Sequence, residues 1–319
     1  MKIAILGYGT IGKGVFQIAL ENQNIEVVKI LERKNRFDEN YLSLFTDDFN
    51  EIINNKEIEL VVEVMGGYDF AKSCIKTCLE NKKHVVTANK EVIARDIDEL
   101  LNIAKENDVN LLYEASVGGG IPILKNLKEV TLVSKISKIT GILNGTTNFM
   151  ITKMFEGMSF DKALKTAQEL GFAEADPTAD LEGFDMMRKI AILSDLAWNT
   201  KIDINLIKHN GFKMIKDEDI IKAKENKQII KFVCEAVLEN DTIDISVFPK
   251  TFDQNHLFGS VNNEFNAIIL ETYPNDTLSF IGKGAGSLPT ASAVVSDIVD
   301  IINNKNIETY QNINKYIIK

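Results

Sequence analysis

Residues 171–189 read GFAEADPTADLEGFDMMRK, five carboxylates (Glu174, Asp176, Asp180, Glu182, Asp185) and then a basic end. Pro177 and Gly183 forbid one unbroken helix, so the first four acids are expected on a shaped loop, which can hold an ammonium group. After Gly183 the pattern turns helical, and Asp185 and Lys189 fall four residues apart on a single face. An exposed pair of this kind is a plain ion pair worth only about 0.2–0.5 kcal/mol. In a cleft the same pair sets a proton-transferring amine beside a carboxylate. The acidic loop in front of it, and the apolar Phe184, Met186, Met187, Ile190 and Ile192 around it, favour the cleft.

The N-terminus carries a second stretch whose spacing suits chemistry. An apolar strand at residues 2–6 runs into Gly7, Gly9 and Gly12 and then into a helical run at 15–20. In this GYGTIG turn the first glycine permits the bend and the second lets backbone approach a pyrophosphate. The third lets helix pack on strand, and Thr10 and Ile11 open the helix whose N-terminus faces the phosphates. After a second strand, 26–31, Glu32 could bond the ribose 2′-hydroxyl of NAD, whereas Arg33, Lys34 and Arg36 could receive the 2′-phosphate of NADP. Strand 60–64, helix 70–81, strand 84–87, helix 96–107 and strand 110–113 continue the alternation. This predicts an α/β, Rossmann-type, doubly wound parallel sheet. The strand ends EVMGG and TANK, with Thr87 and Lys90, then lie at the carboxyl edge where such sheets bind ligands. The glycines of EASVGGGIP, with Glu114, suit either a hard cation held by carbonyls or a tight packing turn.

The composition changes near Val130. A strand at 136–143 leads to NGTTN, where Thr146 or Thr147 can cap the following helix, 149–155, or hold a substrate carboxylate at its N-terminus. A charged helical region, 217–238, and β-rich segments at 242–247, 264–272 and 278–281 predict a second sheet. The closing GKGAGSLPTASAVVSDIVD reads as a glycine turn and a small-residue helix returning to the first domain. The expected division is therefore a dinucleotide-binding domain at 1–130, a substrate-binding and dimerisation domain at 131–282, and a returning segment at 283–319.

At 319 residues and 45% apolar content the chain suits two ordinary cores. A net charge of -10 and the lack of a basic run argue against nucleic acid and anionic membranes, and for a small-molecule partner. The four residues between Lys2 and Gly7 cannot form a signal peptide, and no run reaches transmembrane length. Cys74, Cys78 and Cys234 cannot all pair, and His84, His209 and His256 lack ligand spacing. A reduced cytoplasm is the simplest compartment.

Seven blocks, in order, resemble those of the homoserine dehydrogenases: GYGTIGKGV, VVEVMGG, HVVTANK, EASVGGGIP, GILNGTTNF, GFAEADPTADLEGFDMMRK and GKGAGSLPTASAV. The resemblance implies a Rossmann domain with an inserted α+β catalytic and dimerisation domain. It implies hydride transfer between NADP(H) or NAD(H) and homoserine or aspartate 4-semialdehyde, in the threonine and methionine branch of aspartate-derived biosynthesis. By matching positions Lys189 is the proton-transferring lysine, Asp185 and Glu174 hold homoserine, and Lys90 lies against cofactor and substrate. Thr147 and Asp180 join the substrate site. Gly171, Glu174 and Gly286 fall at cofactor contacts, and Glu114, Val117, Gly119 and Ile121 match a sodium site. The chain departs from some relatives at Ala179, which leaves Asp180 to serve alone. It ends at Lys319, so feedback inhibition by threonine through an ACT domain is not expected. Two other readings are a semialdehyde dehydrogenase that acylates a cysteine, and a non-catalytic NAD(H)-sensing module. The first needs an activated thiolate, and the second has no use for Asp185 and Lys189.

Overall fold

The computed structural model describes residues 1–303 and 316–318, which form two compact units. In the first, Met1–Pro122, the order is β1 (Lys2–Leu6), α1 (Thr10–Leu20), β2 (Glu26–Leu31), β3 (Phe45–Thr46), α2 (Asn50–Ile53), β4 (Leu60–Glu63), α3 (Asp69–Glu80), β5 (His84–Thr87), α4 (Lys90–Glu106) and β6 (Leu111–Leu112). The strands form one parallel sheet in the order β3-β2-β1-β4-β5-β6. Its central strands are buried on both faces, which explains the unbroken apolar runs IAIL and LVV. The winding direction reverses beside β1, and open sheets bind ligands in the crevice at such a point. Helix α4 starts at Lys90, well before residue 96, because Asn89 caps it by accepting from the Val92 amide at 3.2 Å.

The second unit spans Ile123–Ala285. It contains α5 (Ile123–Val133), β7 (Lys135–Ile142), α6 (Gly145–Phe155), α7 (Phe160–Glu169), α8 (Thr178–Leu181), α9 (Phe184–Trp198), β8 (Lys208–His209), α10 (Asp217–Glu225), β9 (Gln228–Glu239), β10 (Thr242–Asp253), β11 (Phe265–Tyr273) and β12 (Asp276–Lys283). The next helix, α11 (Ser287–Ile302), belongs to the first unit. The strand β13 (Ile317–Ile318) joins the second unit beside β10. The sheet is mixed, in the order β12-β11-β7-β9-β10-β13 with β8 also on β10. Residue 130 thus falls inside α5 and residue 282 inside β12.

One expected element is corrected. Residues 217–238 are not one charged helix, since α10 ends at Glu225 and Lys227 turns the chain at φ 53° into the long strand β9. The β-branched Ile229, Ile230, Val233 and Val237 prefer a pleated surface, and β9 sits centrally between β7 and β10. Cys234 is therefore core through a strand rather than a helix face, with its Sγ 3.4 Å from the Gly141 carbonyl. No helix among the described residues is long and apolar enough to cross a membrane.

Candidate active site

In the second unit the acid–lysine pair is buried. Gly183, at φ 82°, precedes α9 and lets the chain enter that helix; a side chain there would press on Val247 and Phe232. Lys189 and Asp185, 8% and 5% exposed, meet at 2.7 Å, and the Lys189 Nζ also donates to the Leu143 carbonyl at 2.7 Å. Asn144 ties this pair to the acidic loop. Its Nδ2 donates to Asp180 Oδ1 at 2.7 Å and to Asp185 Oδ2 at 3.0 Å, while its Oδ1 accepts from the Thr147 amide and hydroxyl, both at 2.9 Å. Burial, and then the Asp185 charge, push the Asp180 carboxyl above its ordinary range, against the Asn144 amide and the Lys189 charge.

The cap of α6 is thus Asn144, not Thr146 or Thr147. An amide oxygen reaches the third amide of the helix as well as a hydroxyl does, and here it is the one aimed there. Thr147 points its hydroxyl back at Asn144, and Thr146 donates to the Phe172 carbonyl at 2.5 Å. Of the five acids, the structure brings together only Asp180 and Asp185. Glu174 is exposed, Glu182 lies apart near Gly211, and Asp176 is engaged by Thr178 at 2.6 Å. Gly171 closes the turn after α7 at φ 77°.

In the first unit the glycine turn has the shape that a dinucleotide requires. Gly7 holds φ 98°, and a side chain on Gly12 would collide with the Gly7 carbonyl. Gly9, before Thr10 and Ile11, faces open space and leaves the α1 N-terminus without a side-chain cap. Glu32 accepts from the Tyr8 amide at 3.0 Å and the Arg33 amide at 2.9 Å, which pins the end of β2 to this turn. The Arg33 side chain is 70% exposed beside it. Thr87 ends β5, Lys90 starts α4, and Gly286 precedes α11 at φ 114°. Sequence reasoning missed Glu63, fully buried at the end of β4. It accepts from the Thr87 hydroxyl at 2.6 Å and the Met65 amide at 2.9 Å, and burial pushes its carboxyl up. An acid closing the apolar run VVE was the available signal.

Glu114, 3% exposed, donates its amide to Asp297 of α11 at 2.9 Å, and Val117 is buried beyond it. Gly119, at φ 57°, turns the chain toward Ile121, whose amide bonds the Gly118 carbonyl at 2.9 Å. A buried carboxylate is oxygen chemistry of the kind a hard cation takes. The thiols do not fit an acylating enzyme. All three are buried, and burial pushes Cys74 up to about 12 and Cys78 and Cys234 upward too.

A glycine-turned parallel sheet in one unit, and a buried acid–lysine pair in the other, define a two-unit oxidoreductase of the nicotinamide type. A family model described as homoserine dehydrogenase, NAD binding domain, matches residues 7–114, and one described as homoserine dehydrogenase matches 122–299. The homoserine dehydrogenase of Bacillus subtilis is 40% identical over 318 residues, which is 95% of this chain and 73% of that one. A crystal structure of a homoserine dehydrogenase from Thiobacillus denitrificans superposes with TM-score 0.93 at 31% identity, covering 100% of this chain and 79% of that one. A hyperthermophilic archaeal homoserine dehydrogenase in complex with NADPH gives TM-score 0.83 at 26% identity, covering 97% and 99%. The chain belongs to the homoserine dehydrogenase family.

Proposed function

We propose that the protein interconverts L-homoserine and L-aspartate 4-semialdehyde with NADP(H), and also accepts NAD(H). The observation that carries this reading is the array Lys189, Asp185, Asn144 and Asp180, in which two carboxylates and one amine are fixed by a single amide. In the reducing direction the Lys189 Nζ donates a proton to the oxygen formed from the aldehyde, and in the oxidising direction it takes that proton back. Asp185 orients the lysine and, with Asp180 and Glu174, receives the substrate ammonium; Thr147 acts through Asn144, to which its amide and hydroxyl both bond. The nicotinamide cofactor, when bound, supplies or accepts the hydride. Gly7, Gly9, Thr10, Ile11, Gly12, Arg33, Thr87 and Lys90 hold it, with Gly171, Glu174 and Gly286. The exposed Arg33 guanidinium supports the preference for a 2′-phosphate, because Glu32 is already engaged by two backbone amides.

Met1–Pro122, with α11 returning to it, serves as the dinucleotide domain, and Ile123–Ala285 as the substrate and dimerisation domain of a homodimer. A structural sodium ion is assigned to Glu114, Val117, Gly119 and Ile121, and the enzyme to the cytoplasm. Steady-state assay with homoserine and each cofactor tests the reading. Turnover with NADP faster than with NAD supports it, and cofactor binding without turnover would favour the sensing module.

A further inference from the structure

Strand β9 carries a lysine that the proposed reaction does not use. Lys231 is 2% exposed, and its three protons go to neutral oxygens: Asn148 Oδ1 at 3.0 Å, the Val261 carbonyl at 2.6 Å and Asn262 Oδ1 at 3.3 Å. Among the described residues no carboxylate pairs with it. The ammonium draws together two stretches distant in sequence, the start of α6 and residues 261–265. Asn148 completes the join, its Nδ2 lying 3.1, 3.0 and 3.0 Å from the carbonyls of Val261, Asn263 and Phe265. Thr152, one turn on, accepts from the Asn263 amide at 3.0 Å. The clamped segment presses on the helix start so closely that a side chain at Gly145 would meet the Glu264 carbonyl at 2.8 Å.

We propose that Lys231 is a positioning residue for the acid–lysine site, clamping residues 261–265 onto α6 and so fixing Asn144. The inference rests on the activity proposed above. Asn148 donates its amide to the Asn144 carbonyl at 3.2 Å, and Asn144 in turn holds Asp180 and Asp185. The preceding carbonyl, of Leu143, receives Lys189. Every link from Lys231 to Lys189 is a hydrogen bond or one covalent step. Energetics separate this role from a stabilising one. Burial pushes the Lys231 ammonium down to about 8, so the strand carries a charge that costs stability and that an apolar side chain would avoid. What the charge gives in return is three directed bonds at one point, which neither methionine nor leucine supplies.

Kinetics and hydrogen exchange on Lys231→Met and Lys231→Arg test the clamp. Lys231→Met should lower kcat/KM for homoserine about 10- to 100-fold, the scale of a misplaced catalytic group, and leave the KM for the nicotinamide cofactor within about twofold. Lys231→Arg, which keeps charge and donors, should recover part of the loss. Equal losses toward both ligands, or no loss, would overturn the proposal. If Lys231→Met does not fold, Asn262→Ala replaces it, since it removes one acceptor at the exposed end of the clamp. A rise of about threefold in homoserine KM with unchanged cofactor KM then supports the clamp, and no rise overturns it. Hydrogen exchange needs no turnover. In Lys231→Met or Asn262→Ala the Thr147 and Asn148 amides should exchange faster while those of α1 do not, and unchanged exchange overturns the clamp. A wild-type protein inert toward homoserine defeats the proposed activity separately.

Discussion

Replacing Asn144 by alanine isolates the hub of the candidate site. Three contributions are lost. The first is the α6 cap, worth about 1 kcal/mol for an asparagine. The second is the donor to the buried Asp185, about 2 kcal/mol for a bond to a charged group. The third is the donor to Asp180, which is only partly buried, so water replaces most of that bond. The loss should be about 3 kcal/mol. Trp198 is the single tryptophan and lies buried in α9, its Nε1 bonded to the Ile136 carbonyl at 2.9 Å, so its fluorescence reports the second unit alone. In urea, with a slope of about 2–3 kcal/mol/M, the Trp198 midpoint should fall by about 1–1.5 M. Asn144→Ser keeps a capping oxygen and drops both amide donors, so it should recover only about 1 kcal/mol of the loss. An unchanged midpoint for Asn144→Ala, or full recovery with serine, would refute the hub.

Lys189→Ala should lower kcat by about 10² to 10⁴ with cofactor binding intact, and Lys90→Ala should also raise the cofactor KM; if Lys90→Ala abolished turnover while Lys189→Ala kept it, the two roles would exchange. Arg33→Ala should raise the NADP(H) KM several-fold and spare that of NAD(H), and equal effects would end the 2′-phosphate assignment. The Asp180 carboxyl is raised on folding, so its contribution to stability is complete below its unfolded value, about 3.9, and is lost as pH rises through the folded value. Asp180→Asn should therefore raise the Trp198 urea midpoint at pH 7 relative to wild type and flatten its pH dependence, while weakening homoserine binding; a lower midpoint counts against this. Glu114→Ala should lower stability and activity together, and a crystal grown in sodium that shows only water at that turn would speak against the cation.

The parallel sheet was legible because its central strands are buried on both faces and its glycines stand where only glycine fits, as at Gly7 and Gly12. The acid–lysine pair was legible because a spacing of four fixes two side chains on one helix face whatever surrounds it. Asn144 was not, because an asparagine before two threonines offers three equivalent caps, and packing of the acidic loop chooses among them. Nor was β9. Its inner residues face neighbours on both sides, which removes the alternation that marks a strand, and the charges of α10 run straight into it. Lys231 looked like one more of those charges.

The first unit is assembled from two separated pieces of chain, and this bears on its synthesis. Ala291, Val294, Ile298 and Ile301 of α11 share a core with Ile3, Val15 and Ile30, and a side chain on Gly14 of α1 would strike Ser287 and Ala291. Ser287 also bonds the Thr10 carbonyl at 2.6 Å, and Asp297 receives the Glu114 amide. Between the pieces the ribosome must make all of Ile123–Ala285, roughly 10 to 30 s of elongation at ordinary rates. During that interval the nascent nucleotide sheet stands with one apolar flank uncovered. The half of the protein that emerges first therefore waits for its last helix until nearly all of the other half has been made, and its exposed flank is where a chaperone has reason to bind.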